Sequence, residues 1–307
     1  MAQQSGPDGE TRCGFVALVG APNAGKSTLA NALVGAKVSI VTPKVQTTRA
    51  RITAIAIAET AQVIFVDTPG IFAPRRRLDE AMVAAAWSGA VDADLVVLLV
   101  DAAQGRSADT DRIIAGLKEQ GRRALLALNK VDLVRKETLL ALAADLDGED
   151  IFDAVFMISA ARGDGLRDLM AHLAGHLPAG PWLYPEDQLA DIPQRLLAAE
   201  VTREKVFLNL HQELPYAITV ETEAWQERKD GSVKIDQVVY VQRDSQKAIV
   251  LGKGGRMARR IGEQSRTELE EMLERRVHLF LFVKVRENWI EDPARYREMG
   301  LDYPGRR

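Results

Sequence analysis

Between residues 15 and 176 the apolar side chains recur in two alternating rhythms. The continuous runs FVALV, QVIFV, LVVLLV, ALLALN and AVFMIS predict strands covered on both faces, because a half-exposed strand alternates apolar with polar residues and these do not. Between them, segments such as 26–34 and 78–90 space their apolar residues three and four apart, the period of a helix with one inward face. Strands alternating with helices predict an α/β domain, a mostly parallel sheet with helices on both faces. The pattern breaks at residues 177–193, LPAGPWLYPEDQLADIP, where four prolines and a glycine cannot continue a helix and predict a connection between domains. After it come a helix over 194–211, strands over 216–226 and 233–242 joined by KDGS, and a short helical stretch ending at Leu251. A glycine loop, a helix over 257–273 and the strand VHLFLFVKV complete an α+β order, αββααβ.

A chain of 307 residues accommodates two domains of this kind. We expect a tail over 1–12, a first domain over 13–177, a linker over 178–193, a second domain over 194–290 and a tail over 291–307. The net charge of −3 is uninformative as a sum. Its distribution is not: the first 193 residues carry 19 Lys and Arg against 24 Asp and Glu, and the remainder 21 against 19. The C-terminal part is therefore the better candidate for a polyanionic partner. A single cysteine, Cys13, excludes an internal disulfide and suits a reducing cytoplasm. The polar start MAQQSGPDGETR lacks the apolar core of a secretion signal, and the most apolar run, 95–100, is far short of the roughly 20 residues that span a bilayer. Peripheral membrane contact stays open.

The chemistry begins after the first strand. GAPNAGKS, comprising Gly20, Ala21, Pro22, Asn23, Ala24, Gly25, Lys26 and Ser27, fits G-x-x-x-x-G-K-[ST] and runs through Thr28 into a helical stretch. Glycines let successive amides turn toward phosphate oxygens, the helix start adds partial positive charge, Lys26 reaches the β and γ phosphates, and Ser27 ligates Mg2+. Asp67, Thr68, Pro69 and Gly70 follow the strand QVIFV, so that Asp67 can hold the metal and Gly70 can offer its amide to the γ phosphate. Asn129, Lys130 and Asp132 follow ALLAL, and Ser159 and Ala160 follow AVFMI. A carboxylate at Asp132 accepts from the ring NH and exocyclic amine of guanine, whereas adenine leaves it unpaired, so GTP is favoured over ATP. Asn129 would hold the purine edge, Lys130 cover the ring, and the Ala160 amide donate to the guanine carbonyl. In the polar stretch 36–51, Thr48, with Thr47 as the alternative, is the candidate to ligate Mg2+ and touch the γ phosphate, which makes this stretch a switch. Lys26, Thr48, Asp67 and Gly70 are the residues expected to act in hydrolysis. Ile71 stands where a water-orienting glutamine would follow Gly70, which predicts slow intrinsic turnover.

In the second domain Gly252, Lys253, Gly254 and Gly255 form a GXXG loop, the device by which KH domains clamp single-stranded RNA. Residues 243–260 hold six basic side chains against one acid, Asp244, and Lys247, Lys253, Arg256, Arg259 and Arg260 are candidate RNA contacts. Such a loop is also an ordinary helix-to-helix turn; the αββααβ order and the apolar positions Ile249, Val250, Ile261, Leu269 and Leu273 favour the KH reading. His172 and His176 lack a zincin glutamate between them and read as surface residues, Arg75–Arg77 as a solvated charge run with contact to RNA or lipid headgroups as the alternative, and the four tryptophans as packing.

Taken together, GAPNAGKS, QTTRAR, DTPG, NKVD, ISA, VLGKGGRMARRIG and VHLFLFVKVRENW closely resemble the Era family of bacterial ribosome-assembly GTPases over about residues 14–286. The resemblance implies a P-loop GTPase domain followed by a type II KH domain. It further implies GTP and GDP as ligands with Mg2+, a potassium ion at Asn23, and Ile71 as the family's hydrophobic replacement for glutamine. The implied partners are the 3′ end of 16S ribosomal RNA and the 30S subunit late in its assembly. A cytoplasmic monomer with peripheral contact at the inner membrane is expected. The ending IEDPARYREMGLDYPGRR departs from the commoner acidic one, and no contact is transferred to it. Two other readings stay open: an ATP-using P-loop enzyme, against which Asp132 speaks, and an RNA-binding scaffold that uses nucleotide only structurally.

Overall fold

Strand β1 (Arg12–Gly20) lies inside a seven-stranded sheet and is buried on both faces. It pairs in parallel with β3 (Ala61–Asp67) and β4 (Leu95–Asp101), and β5 (Ala124–Asn129) and β6 (Phe152–Met157) extend the sheet beyond β4. On the other side β2 (Ile52–Ala58) runs antiparallel to β3, and β7 (Ala190–Asp191) closes its edge. The computed structural model describes residues 10–49, 51–210, 214–287 and 289–305.

Because side chains alternate along a strand, Val16 and Leu18 of β1 enter one core and Ala17 and Val19 the other. The first core takes Leu29 and Ala30 of α1 (Lys26–Val34) and Leu169 and Leu173 of α5 (Leu166–His176). The second takes Ala86 and Ala90 of α2 (Arg77–Asp92), Ile113 and Leu117 of α3 (Ala108–Glu119), and Leu139 and Leu146 of α4 (Lys136–Asp147). Burial of each large aliphatic side chain stabilises by about 1.5–3 kcal/mol, which fixes the helices to the sheet and leaves the strand ends to carry chemistry. The parallel strands end at Gly20, Asp67, Asp101, Asn129 and Met157 along one edge, where open α/β sheets bind ligands.

The second unit has α6 (Gln194–Asn209), β8 (Thr219–Glu227), β9 (Val233–Val241), α7 (Asp244–Leu251), α8 (Arg256–Leu273) and β10 (Val277–Val285). Its sheet has the order β10–β9–β8, with β8 antiparallel and β10 parallel to β9. The expected αββααβ order is present. Val206, Ile218, Val239, Val250, Ile261 and Val283 form one core cluster, and Val201, Ile235, Leu269 and Val277 another.

The division of the chain differs from expectation in four places. Arg12, expected in the N-terminal tail, begins β1 and donates its amide to the Thr60 carbonyl at 3.1 Å; residues 1–9 lie outside the described residues. Most of the expected linker folds onto the first sheet instead. The Leu189 carbonyl accepts from the Ile55 amide, the Trp182 indole donates to the Thr60 carbonyl, and the Gln62 amide oxygen accepts from the Leu183 and Tyr184 amides. An open edge strand leaves amides and carbonyls unpaired, and this segment pairs β2 at Thr53, Ala54 and Ile55. Ile40–Thr47, expected in the first domain, belongs to the second unit: Lys44 donates to the Phe207 and Leu210 carbonyls that end α6, Arg203 donates to the Thr47 carbonyl, and Glu204 accepts from the Val41 amide at 2.9 Å. A cation at a helix C-terminus meets the unpaired last carbonyls. Tyr296 onward, expected in the C-terminal tail, belongs to the first unit, where Tyr303 accepts a hydrogen bond from Arg77. Helix α6 stops at Asn209 and not at 211, and His211 lies outside the described residues.

Candidate functional site

The loop that leaves β1 is braced from beneath. Gly25 has φ 101°, and a Cβ there would lie 2.3 Å from Asn129 Nδ2, so the position excludes any side chain on both backbone and steric grounds. Asn129 earns that closeness by donating to the Ala24 carbonyl at 2.8 Å and accepting from the Ala160 amide at 3.0 Å. The Ala160 amide, expected at the guanine carbonyl, here donates to Asn129. Ser159 is fully buried and donates its amide to the Asp164 carbonyl. Lys130, with a left-handed φ of 65°, sends its ammonium to the Asn23 carbonyl at 2.9 Å and to Asp101 Oδ2 at 2.6 Å.

Lys26 opens α1 and its ammonium donates to the Gly20 and Ala21 carbonyls, both at 3.0 Å. Burial pushes its pKa down to about 8, with Asp67 opposing. Ser27 Oγ lies 2.7 Å from both Thr48 Oγ1 and Asp67 Oδ2, and the Ser39 hydroxyl donates to the same carboxylate oxygen at 2.7 Å. Asp67 Oδ1 is buried with no hydrogen-bond partner. Burial raises the Asp67 pKa, and the Ser27 and Ser39 hydroxyls and the Lys26 ammonium work against that rise. Thr48, not Thr47, is brought to this cluster; the Thr47 hydroxyl bonds the Lys44 carbonyl and Thr42.

In the DTPG turn the Thr68 hydroxyl bonds the Leu18 carbonyl at 2.7 Å, and a Cβ on Gly70 would sit 2.9 Å from Pro22 Cα, so the turn lies directly against the glycine loop. Ile71 is fully buried in the second core, its amide on the Gly20 carbonyl at 3.1 Å. A side chain pointing into the core cannot orient a water at the phosphate end. Asp132 sits in a short 3-10 turn, Val131–Leu133, with the Arg162 guanidinium 3.4 Å away. The Ser159 hydroxyl, with Arg162 and Lys130 behind it, holds its carboxyl below the usual carboxylate range. Thr28 follows in the first turn of α1.

Ser39, Asn31, Asp101 and Arg162 escaped the sequence reading. Asn31 positions Ser39 through three bonds: its Nδ2 donates to the Ser39 carbonyl, and its Oδ1 accepts from the Val38 and Ser39 amides. Only Asp101 carried a readable signal, an acid at the end of a buried strand, as at Asp67.

In the second unit the glycine loop joins α7 to α8. Gly254 has φ 62°, and nothing lies within 4 Å of where its Cβ would be. Lys253, Arg256 and Arg259 are exposed around it, and Lys247 is half-buried on α7. Gly252 packs closely on Met257. Arg260 is exposed and lines a groove between α6 and α8 with Lys205, Glu263, Glu268 and Glu271. Ile249, one of the apolar positions read in favour of a KH unit, is 55 % exposed on α7, whereas Val250 beside it is buried. His172 and His176 stack at 4.0 Å on α5.

Two family profiles match in the same order as the units: 50S ribosome-binding GTPase over residues 15–130 and KH domain over 213–290. GTPase Era of Sinorhizobium medicae is 63 % identical over 294 residues, covering 96 % of this chain and 95 % of its own. The chain belongs to the Era family of GTPases. Era of Rhizobium meliloti is 64 % identical, with 96 % and 94 % of the two chains covered. Era of Aquifex aeolicus, solved bound to GDP and AlF4−, superposes with a TM-score of 0.90 at 36 % identity over 94 % of this chain and 99 % of that one. An Era solved with MgGDPNP and nucleotides 1506–1542 of 16S ribosomal RNA also superposes with a TM-score of 0.90, at 35 % identity and the same coverage. The Era fold, a P-loop GTPase domain followed by a KH domain, thus extends over nearly the whole chain.

Proposed function

We propose that this Era-family GTPase holds GTP at residues 20–28 and, in that state, binds the 3′ end of 16S ribosomal RNA through its KH loop, acting in assembly of the 30S subunit. The observation that carries the nucleotide half is the buried, unpartnered Asp67 Oδ1 beside the hydroxyls of Ser27 and Thr48. A carboxylate and two hydroxyls are hard oxygen donors, and they fit Mg2+. Ser27, Thr48 and Asp67 would hold it, and the bound ion neutralises charge on the phosphate oxygens. Lys26 exchanges its two loop carbonyls for phosphate oxygens, and the Gly70 amide serves the γ phosphate. Asp132 selects guanine, and Asn129, Lys130, Ser159 and Ala160 brace the loops around it.

The RNA half rests on Gly254 and Gly255, open to their surroundings in the GXXG loop, with Lys247, Lys253, Arg256 and Arg259 near it and Arg260 further along α8, and on the relative solved with 16S ribosomal RNA. With Ile71 in the core, water would be oriented by other groups, which predicts slow intrinsic turnover; a potassium ion at Asn23 is part of the same proposal. The family resemblance supports a cytoplasmic monomer with peripheral contact at the inner membrane.

Calorimetry on Asp132→Asn tests the base assignment. Loss of the paired acceptors should weaken GTP by about 10²- to 10³-fold while xanthosine triphosphate gains. Undiminished affinity of the unaltered protein for xanthosine triphosphate overturns it. An oligonucleotide copying the 16S 3′ end should bind more tightly with a non-hydrolysable GTP analogue than with GDP; equal binding in both states supports the scaffold reading instead.

A further inference from the structure

Asp101 has no place in the reading above, yet its carboxylate is built into the nucleotide site. β4 and β5 pair in parallel with Asp101 opposite Asn129, and the Ala102 amide donates to the Asn129 carbonyl at 2.9 Å. The side chains of Asp101 and Lys130 therefore emerge beside each other at the sheet edge. Asp101 Oδ1 accepts from the Ala103 amide at 3.0 Å, and Oδ2 accepts from the Lys130 ammonium at 2.6 Å. The Asp101 carbonyl takes the Gln104 and Gly105 amides, and the residue is 8 % exposed. Most surface ion pairs contribute little because two mobile side chains must be ordered. Here one partner is already ordered by its own loop.

Lys130 is constrained from its backbone as well. Its left-handed φ is sustained by the Val131 amide on the Ile158 carbonyl at 3.2 Å and by the Leu133 amide on its own carbonyl at 3.0 Å. The alkyl stem spans from the 129–132 loop to the 20–27 loop, where the ammonium meets the Asn23 carbonyl. An ammonium offers three donors in free rotation, so a single neutral carbonyl would hold it weakly.

We infer that Asp101 is a positioning residue of the guanine-nucleotide site: it fixes the Lys130 ammonium on the Asn23 carbonyl and so straps the base-binding loop to the phosphate-binding loop. The inference rests on the assignment of Asn129, Lys130 and Asp132 to guanine. Since the strap touches no group that differs between the di- and triphosphate, its loss acts on both ligands alike.

The test is stopped-flow release of fluorescent GDP and of a fluorescent non-hydrolysable GTP analogue. Asp101→Asn keeps the shape and an acceptor for Ala103 but removes the charge; both ligands should leave roughly five- to twentyfold faster by the same factor. Asp101→Ser, whose hydroxyl still serves the Ala103 amide but does not reach Lys130, should match it. In a Lys130→Met background Asp101→Asn should add less than about twofold, as coupled partners do. Release within about twofold of the unaltered protein, an effect on the GTP analogue alone, or an equally large effect in the Lys130→Met background each overturns the inference. The base assignment fails separately, when the unaltered protein shows no preference for guanine over xanthine and adenine nucleotides.

Discussion

Two glycine loops serve two ligands in this chain, and the glycine at the heart of each is placed oppositely. At Gly25 a Cβ would strike Asn129 at 2.3 Å; at Gly254 it would meet nothing within 4 Å. Both glycines have positive φ, so the backbone asks for glycine in each, but only the first is also enclosed. The enclosed loop has its geometry set before ligand arrives, by Asn129 from one side and by Lys130 on the Asn23 carbonyl from another. The open one leaves space into which a sugar-phosphate backbone can come close. Preorganisation suits a small ligand held at fixed points; clearance suits a polymer passing by.

Substitutions can break that contrast. The largest effect should come from Gly25→Ala, which combines a left-handed alanine with displacement of Asn129. The several kcal/mol involved predict a loss of GTP affinity of about a thousandfold, read by calorimetry. Next comes Gly254→Asp, which sets a negative charge against RNA phosphates and should weaken oligonucleotide binding by roughly thirtyfold with GTP affinity unchanged. Equal loss of both ligands would mean that the loops are not separate devices.

A pH titration sharpens the phosphate end. The Lys26 ammonium has its pKa lowered to about 8 by burial, so the nucleotide-free protein sheds that proton above this pH. Bound phosphate requires the charged form. Binding therefore takes up a proton above pH 8, and affinity should fall by about tenfold per pH unit there while staying level between 6.5 and 7.5. Calorimetry in buffers of different ionisation enthalpy measures the uptake directly. The smallest effect belongs to Gly254→Ala, where only the positive φ resists and no atom is struck; RNA affinity should fall by less than about tenfold.

Legibility from sequence followed the range of the interactions. Helix α1 was read to the residue, 26–34, because a glycine loop, a lysine and an apolar period lie within one short window. NKVD and the GXXG loop were legible for the same reason. Ser39, which donates to Asp67 Oδ2 from 28 residues away, carries no local signal, since serine in a polar loop is ordinary. Asp101 ends a buried strand as Asp67 does, but its partner is evident only with β4 and β5 in register beside Lys130. The proline-rich stretch 177–193 was read as a connector because proline forbids helix, but proline says nothing about whether a chain follows an edge strand. The pairing of Ala190 and Asp191 with Ala54 and Thr53 of β2 decides that it does, and Gln62 of β3 holds Leu183 and Tyr184 from the neighbouring strand.

Local backbone preference and apolar period were enough to determine that the chain builds a parallel sheet with a phosphate-binding glycine loop and, after it, an αββααβ unit. Which hydroxyls reach Asp67, which acid pins Lys130, where Ile71 points, and to which unit residues 40–47 belong were decided only on folding. Those contacts join residues tens to hundreds of positions apart, and no local pattern along the chain encodes such a distance.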